Sequence, residues 1–327
     1  MRLLAILAST LLAFASPALA AQNQGDVIIR HVTLIDVEAA TAVAGQAVVL
    51  RGDDIVAAGP DAAIAKGWRA KRQVEGRGKY LIPGLWDMHV HFGGGPDLIA
   101  ENEALFPLYV ANGITTIRDC SGDLADQVLA WRSAIAAGEV FGPRLLTSGA
   151  KIEGIAPLWK GTIEVGSEAD ADAALDRLKN RDHVDFVKIT DSTLKPELFL
   201  YALKRAKMMG IRTSGHIPMA LTTGQAVDAG LSSIEHLDYA YNAGVKDEAA
   251  VAADFAAGRI DRAEANRAAR RGLRPRYGDG GLSSLRGPGR LCHPDAQRQP
   301  DHRVARPRRS WQGCGARLCW AEAAQDL

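Results

Sequence analysis

The sequence is poor in the features that define several classes of protein. It has four cysteines in 327 residues, and Cys120 is the only one before residue 290, which excludes a disulfide framework. Its net charge of +1 excludes a nucleic-acid-binding protein driven by overall charge. Apart from the apolar run at the N-terminus, which is short for a span, no stretch approaches the roughly 20 apolar residues that a membrane-spanning helix needs. We therefore expect neither a nucleic-acid partner nor a membrane span.

The composition that remains is typical of a globular protein. Apolar residues make up 47% of the chain and charged residues 24%, and the length suits one large α/β domain or two ordinary ones. The charges are unevenly distributed. Residues 259–327 contain 15 arginines and seven acidic residues, a net charge of +8 that leaves −7 for the rest. This asymmetry indicates that two pieces of different character are joined near residue 259.

The first 20 residues have the layout of a secretory signal. Arg2 is followed by an apolar run at 3–15 and by a small-residue motif, Ala-Leu-Ala, at 18–20. We expect cleavage between Ala20 and Ala21 and a mature protein that is periplasmic or extracellular. The alternative is a membrane anchor, for which the apolar run is short.

Residues 21–84 predict short β-strands. Runs rich in β-branched residues occur at 27–36 and 47–57, and the segment Arg51–Asp54 is typical of a hairpin turn. A third strand begins near Gln73. About sixty residues of this kind do not bury a core alone, so they need another sheet or domain to pack on.

Residues 85–258 predict an alternation of strands and helices, which favours a parallel sheet. The length of the repeating units suits a (β/α)8 TIM-type barrel, of which six units can be counted and eight are needed. We therefore expect an α/β fold with an incomplete barrel. The six strand candidates begin near Asp87, Ile114, Arg144, Val184, Ile211 and Leu231.

Four histidines and one lysine fall at the C-terminal ends of these strands, where barrels of this kind build their active sites. His89 and His91 share one face of the first strand, because side chains two residues apart point the same way. Lys188 interrupts an apolar strand, and His216 and His236 each end a later one. The alternatives are a half-exposed strand for the His-x-His pair, a salt-bridged lysine, and ordinary core or surface histidines.

The segment Leu81–His91 (LIPGLWDMHVH) resembles the signature with which the amidohydrolase superfamily enters its first barrel strand. The resemblance covers about residues 27–257, and it is strongest to the branch related to imidazolonepropionase and Xaa-Pro dipeptidases. It implies that residues 21–84 belong to a small N-terminal β-sandwich subdomain. It also implies a hydrolase that breaks an amide or other C–N bond in a dipeptide, an N-acyl amino acid or a cyclic amide.

The same resemblance implies two divalent metal ions, usually zinc. His89 and His91 would bind the first ion, His216 and His236 the second, and a carboxylated Lys188 would bridge them. A water bridging the two ions would be the nucleophile, because bound metal lowers its pKa. A lysine at this position argues against the single-metal deaminase branch.

For four other positions, the sequence allows either a role at the site or a purely structural role. Asp87 would orient a histidine ligand or simply be solvated. Arg118 and Asp119, at the end of the second strand, would contact substrate or form a structural ion pair. Tyr239 would line the pocket or pack at the start of a helix.

The sequence departs from the family near its end. Family members carry an aspartate after strand eight that acts as general base and acid, and the nearest candidate, Asp295, follows Pro294 and no strand. Residues 259–327 contain no Lys, Thr, Met or Phe, so they do not supply two buried parallel strands. Three interpretations stay open for them: a shifted reading frame, a polybasic disordered tail, or a divergent folded ending. The alternative to a hydrolase is a catalytically dead metal-binding fragment.

Export is the first testable prediction. N-terminal sequencing of protein recovered from the periplasm or medium should begin at Ala21, because the Ala-Leu-Ala motif places the cleavage site after Ala20. Recovery of that protein with Met1 intact would contradict it.

Overall fold

The computed structural model describes residues 22–245 and 247–272. The chain divides between Pro83 and Gly84 into two compact units, which are described separately. The predicted signal segment and the chain after residue 272, with Asp295, lie outside the described residues.

The first unit is one five-stranded sheet with a helix. The central strand β1 pairs antiparallel with β2 and parallel with both β4 and β5, and β2 pairs antiparallel with β3. Ile28, Ala47, Val49 and Ile64 form its buried core. The elements are β1 (Asn23–Asp36), β2 (Thr41–Arg51), β3 (Asp54–Pro60), α1 (Asp61–Gly67), β4 (Trp68–Glu75) and β5 (Tyr80–Leu81).

The hairpin predicted at Arg51–Asp54 is present. These two residues are paired, and Gly52 adopts a φ of +55° that favours glycine in the turn between β2 and β3. A second sheet that would make this unit a sandwich is not among residues 22–83, so the β-sandwich stays a prediction.

The second unit contains two parallel sheets. The first has the order β6-β7-β8 and the second the order β10-β9-β11-β12-β13. A backbone hydrogen bond from Asp185 N to Thr147 O (3.0 Å) links the end of β8 to the segment before β11. The strands are β6 (Leu85–Val90), β7 (Ile114–Asp119), β8 (Arg144–Thr147), β9 (Lys151–Glu153), β10 (Thr162–Glu164), β11 (Val187–Ile189), β12 (Thr213–Gly215) and β13 (Ser233–Ile234).

Helices follow most of these strands and begin at recognisable signals. Ser167 caps α5 by accepting a hydrogen bond from Asp170 N, and Thr222 and Gln225 form a capping box at α7. The helices are α2 (Ile99–Glu103), α3 (Phe106–Ala111), α4 (Ala125–Ala137), α5 (Glu168–Asp176), α6 (Pro196–Met208), α7 (Thr223–Ala229), α8 (Leu237–Asn242), α9 (Glu248–Ala256) and α10 (Arg262–Gly272). None of the described helices is both long and apolar enough to cross a membrane.

Two hydrophobic clusters hold the strands of this unit in place. Phe92, Phe106 and Trp131 pack edge to face beside the first sheet, with ring centroids 5.3–5.7 Å apart. A larger cluster packs α6 onto the second sheet through fully buried side chains such as Ile189 and Phe199. Burial at this level fixes where the ends of the parallel strands lie.

The predicted α/β fold with parallel strands is confirmed. All six expected strands are present, as β6, β7, β8, β11, β12 and β13, with helices between them. The sequence did not predict β9 and β10. The two hydrogen-bonded sheets do not by themselves establish a barrel, so the incomplete (β/α)8 barrel stays a prediction.

The helix α10 extends past the predicted domain boundary at residue 259. Its Ala265 and Ala269 are buried, so this segment packs against the second unit at least as far as it is described. Residues 262–272 are therefore helical and packed, and the interpretation as a disordered tail does not describe them.

Candidate metal centre

The four predicted histidines converge at the C-terminal ends of the parallel strands. His89 and His91 close β6, and their Nε2 atoms are 2.9 Å apart. The ring of His236, just after β13, lies 4.7 Å from that of His89 and 5.0 Å from that of His216, which follows β12. The structure thus brings together side chains that lie as far apart in sequence as His89 and His236.

Three of the four histidines are held in the protonation state that metal binding requires. Burial and the positive charge of neighbouring groups, His89 first among them, lower the pKa of His91 to about 4. Burial likewise lowers the pKa of His216 and of His236. Their imidazoles are therefore neutral at neutral pH, and neutral imidazole is the form that binds metal.

Lys188 lies within β11 and is 1% exposed. Its Nζ atom has no hydrogen-bond partner in the described part of the chain, and neither does the buried Nε2 atom of His216. Burial lowers the pKa of Lys188 to about 8. Two buried polar atoms without partners are costly in a folded protein, and a bound group between them would remove that cost. The residues present therefore fit a metal centre.

Glu235 is a functional residue that the sequence reasoning missed. Its buried carboxylate accepts hydrogen bonds from His89 Nδ1, from the Arg118 guanidinium and from the Ser214 hydroxyl. Burial alone would raise its pKa, but the bond from His89 and the charges of Lys188 and Arg118 hold it well below its usual value. Because Nδ1 of His89 donates to this carboxylate, its Nε2 is left as a ligand atom. The available signal was a glutamate directly before His236 at the end of an apolar strand.

A different trio of ligand atoms also lies close together. One atom each from His89, Cys120 and Glu235 lies within 4.8 Å of the other two. Burial raises the pKa of Cys120 to about 12, so the thiolate that metals bind is disfavoured. The carboxylate of Glu235 is already occupied by its hydrogen bonds. The histidines with Lys188 are therefore the better candidate.

Arg118 and Asp119 make contacts that match the structural alternative. Arg118 pairs with Glu235, and its guanidinium lies 4.3 Å from the ring centroid of Phe186. Asp119 is fully buried and accepts hydrogen bonds from the backbone N of Phe92 (3.2 Å) and from the Thr147 hydroxyl (3.2 Å). Burial raises the pKa of Asp119 to about 6. A role in substrate binding stays a prediction for both residues.

Tyr239 is positioned against a histidine rather than pointing freely into a pocket. Its ring is stacked on His216 at 5.2 Å, and its hydroxyl donates to Asp191 (3.1 Å). The nearly buried Asp191 lies 3.6 Å from Nδ1 of His216 and also accepts from Arg262 of α10 (3.2 Å). The sequence reasoning missed Asp191 and Arg262. Asp87, which was predicted to orient a histidine ligand, accepts a hydrogen bond from the backbone N of His89 (3.1 Å).

Known proteins match the chain over limited segments. No protein-family model matches it. It is 35% identical over 98 residues to the adenine deaminase of Ruegeria pomeroyi, which is 30% of this chain and 16% of that one. It is 39% identical over 57 residues to the imidazolonepropionase of Chloroflexus aggregans, 17% of this chain and 13% of that one. With the ochratoxinase of Aspergillus niger it shares 30% identity over 122 residues, 32% of this chain and 25% of that one. The matches thus span a quarter or less of these curated relatives.

The folds match over a longer range. The crystal structure of Aspergillus niger ochratoxinase superposes with a TM-score of 0.54 and 20% identity, covering 76% of this chain and 71% of that one. A Xaa-Pro dipeptidase structure superposes with a TM-score of 0.52 and 20% identity, covering 75% and 73%. These similarities support the amidohydrolase superfamily. The resemblance inferred from Leu81–His91 is confirmed at the level of the superfamily.

The Glu235 network gives a testable prediction. Glu235→Gln should destabilise the chain by about 3–5 kcal/mol, because it leaves the buried Arg118 without its counter-ion. Urea unfolding followed by circular dichroism measures the change. The double variant Glu235→Gln/Arg118→Met should recover most of the loss, because neither charge then remains buried.

The matched control is the exposed ion pair between Arg205 and Asp172, in which Arg205 Nε lies 2.8 Å from Asp172 Oδ1. Asp172→Asn should cost no more than about 1 kcal/mol, because exposed ion pairs contribute little. Equal losses for Glu235→Gln and Asp172→Asn would show that the Glu235 pair is not the structural centre of the site.

Proposed function

We propose that this chain is built for metal-dependent hydrolysis of an amide or other C–N bond in a small molecule. The observation that carries the proposal is the convergence of four histidines, His89, His91, His216 and His236, in the neighbourhood of Lys188. The charge of Lys188 acts on three of them, and its buried Nζ has no partner among the described residues. Unpaired buried polar groups are rare except where function requires them.

The proposal assigns two divalent ions, with zinc favoured, to these five residues. His89 and His91 would hold one ion and His216 and His236 the other, with Lys188 as a carboxylated bridge. The lowered pKa of Lys188 supports this, because a neutral amine is the form that reacts with carbon dioxide. Carboxylation would replace a buried cation by an anion that cations can share. The ions would supply Lewis-acid polarisation of the scissile carbonyl and an activated water.

The surrounding residues would position the ligands. Glu235 holds the tautomer of His89, and Arg118 balances the charge of Glu235 within the same buried network. Stacking against Tyr239 and the approach of Asp191 fix the ring plane of His216. Such supporting contacts typically change metal affinity or activity by about 10- to 100-fold.

We place this site in an incomplete (β/α)8 barrel with a small N-terminal β-sandwich. Contacts within the second unit support the curvature, because Arg118 of β7 reaches Ser214 of β12 (3.0 Å) and Glu235 beyond β13. We further propose that the protein acts outside the cytoplasm, after cleavage before Ala21.

The proposed substrate is a small amide or peptide. A structural neighbour is a Xaa-Pro dipeptidase, which supports a dipeptide as the first choice, ahead of an N-acyl amino acid or a cyclic amide. The similarity to adenine deaminases favours C–N bond cleavage more generally. Lys188 argues for the two-metal hydrolases rather than the single-metal deaminases.

The second candidate function is metal binding without turnover. The family's strand-eight aspartate would transfer a proton from the attacking water to the leaving amine. Asp295 is the nearest candidate in the sequence for this role, and it lies outside the described part. A chain without this carboxylate would bind metal and turn over slowly or not at all.

Metal content tests the assignment of the ligands. His89→Ala and Lys188→Ala should each lower the zinc bound per folded chain, measured by elemental analysis after gel filtration. His183→Asn is the control, because His183 is exposed and its φ of +47° is one that asparagine tolerates. Folded protein without bound zinc, or equal zinc content in all three variants, would refute the assignment.

Activity tests the second candidate against the first. We expect the 327-residue chain to be nearly inactive, and a version whose reading frame is restored between about residues 259 and 274 to hydrolyse dipeptides or N-acyl amino acids. General acid–base help is typically worth about 10²- to 10⁴-fold, and the two chains should differ at least by this factor. Equal rates with added zinc would overturn both the missing-carboxylate argument and the shifted-frame interpretation.

A further inference from the structure

A second buried cation lies near the metal centre without belonging to it. Lys151 begins β9 and is 5% exposed. Among the described residues its ammonium makes no hydrogen bond and no ion pair. Its one direct partner is the ring of Trp159, whose centroid is 5.7 Å from Nζ. Nearby carboxylates favour the charge of the ammonium, but none of the described acceptors is hydrogen-bonded to it, so its three donors are left for water or a ligand.

The acidic residues around Lys151 are engaged elsewhere. Asp119 binds backbone N–H groups and a hydroxyl, as described above. Glu153 accepts from the backbone N of Gly154 (3.0 Å) and of Leu194 (3.1 Å). Asp123 accepts from the N-H groups of the loop after β6. The unused donors of Lys151 are therefore available to an anion that comes from outside the protein.

Lys151 lies beside Lys188, because Ile152 of β9 pairs with Ile189 of β11 in parallel register. Its charge is also among the causes that lower the pKa of His91. Burial lowers the pKa of Lys151 itself, although nearby carboxylates oppose the shift.

The loop between β9 and β10 carries large apolar side chains that face solvent. Ile155 is 58% exposed, Leu158 75% and Trp159 60%. The loop is tied at its base, because Lys151 N donates to Gly161 O (3.2 Å). Gly161 packs so closely on Gly122 that a Cβ there would lie 2.2 Å from the Gly122 carbonyl oxygen. Exposed apolar groups on a loop with a fixed base are typical of a binding surface.

We propose that Lys151 and Trp159 form a substrate subsite, in which the ammonium binds a free carboxylate and the indole contacts the adjacent apolar side chain. The inference rests on the proposed hydrolase function and narrows its substrate class. Anionic amides, namely dipeptides and N-acyl amino acids with a large apolar side chain, are preferred over neutral cyclic amides. A neutral ligand would bury the ammonium further without giving it an acceptor.

Binding to the full 327-residue chain tests this without requiring turnover. The probes are N-methylsulfonyl-L-leucine, whose sulfonamide resists hydrolysis, and its neutral primary amide. Calorimetric titration with zinc present should give a Kd for the acid about 10-fold or more below that of the amide, because a charge-assisted hydrogen bond is lost in the amide. Equal affinities would overturn the proposal, and this comparison needs no variant.

Variants then assign the discrimination to Lys151. Lys151→Met should weaken acid binding about 10-fold and leave amide binding within about 2-fold, and Lys151→Arg should restore part of the preference. Lys160→Met is the matched control, since Lys160 is an exposed lysine of the same loop. Trp159→Ala should weaken both leucine probes and leave N-methylsulfonylglycine unchanged. Retained preference in Lys151→Met, or equal loss in Lys160→Met, would overturn the assignment.

Hydrolysis assays separate this inference from the function on which it rests. If no amide is hydrolysed but the acid preference depends on Lys151, the proposed hydrolysis fails and the subsite stands. If neutral and anionic amides are hydrolysed equally well, the hydrolase stands and the subsite is wrong.

Discussion

The ammonium group of Lys188 lies inside a parallel strand, 1% exposed and without a hydrogen-bond partner in the described residues. Burying an unpaired cation costs several kcal/mol, and the fold does not relieve that cost with a directly bonded acid. The strand ends bring neutral histidines to the same place. Carboxylation would replace the buried, unpaired ammonium of Lys188 by an anion. That anion would share divalent ions with those histidines, and the cost of burying an unpaired cation would be removed.

The charges around this point are balanced in a network that crosses the second unit. Glu235 is the anion nearest the histidines, and it bonds to His89 from β6 and to Arg118 from β7. Because Glu235 follows β13, these bonds join the last described strand of the second unit to the first two strands of that unit. Asp191 has a similar part on the other side, where it connects His216 to Arg262 of α10. The groups that orient the ligands also join the strands, so the site and the fold of the second unit depend on the same contacts.

Much of this arrangement could be predicted from the sequence because its signals are local. The strands beginning at Ile114 and Arg144 are apolar runs, and His89 and His91 share a face because side chains alternate along a strand. The partners of these residues could not be predicted in the same way. Glu235 lies 146 residues from His89, and no local pattern specifies that pairing.

The end of the predicted body is a similar case. The composition after residue 259 changes to arginine, glycine and proline, which suggested that a segment of different character begins there. Yet Arg262 donates a hydrogen bond to the buried carboxylate of Asp191, and the side chains of Ala265 and Ala269 are buried. An average over 69 residues does not reveal an 11-residue helix whose partners come from a distant part of the chain.

X-ray absorption spectroscopy at the zinc edge tests the central claim most directly, because it identifies the atoms bound to the metal in the intact chain. The account predicts a first shell of nitrogen and oxygen at about 2.0–2.1 Å, supplied by the four histidines and Lys188. A sulfur scatterer at about 2.3 Å would place the metal on a cysteine, as in the trio of His89, Cys120 and Glu235, and would contradict the account.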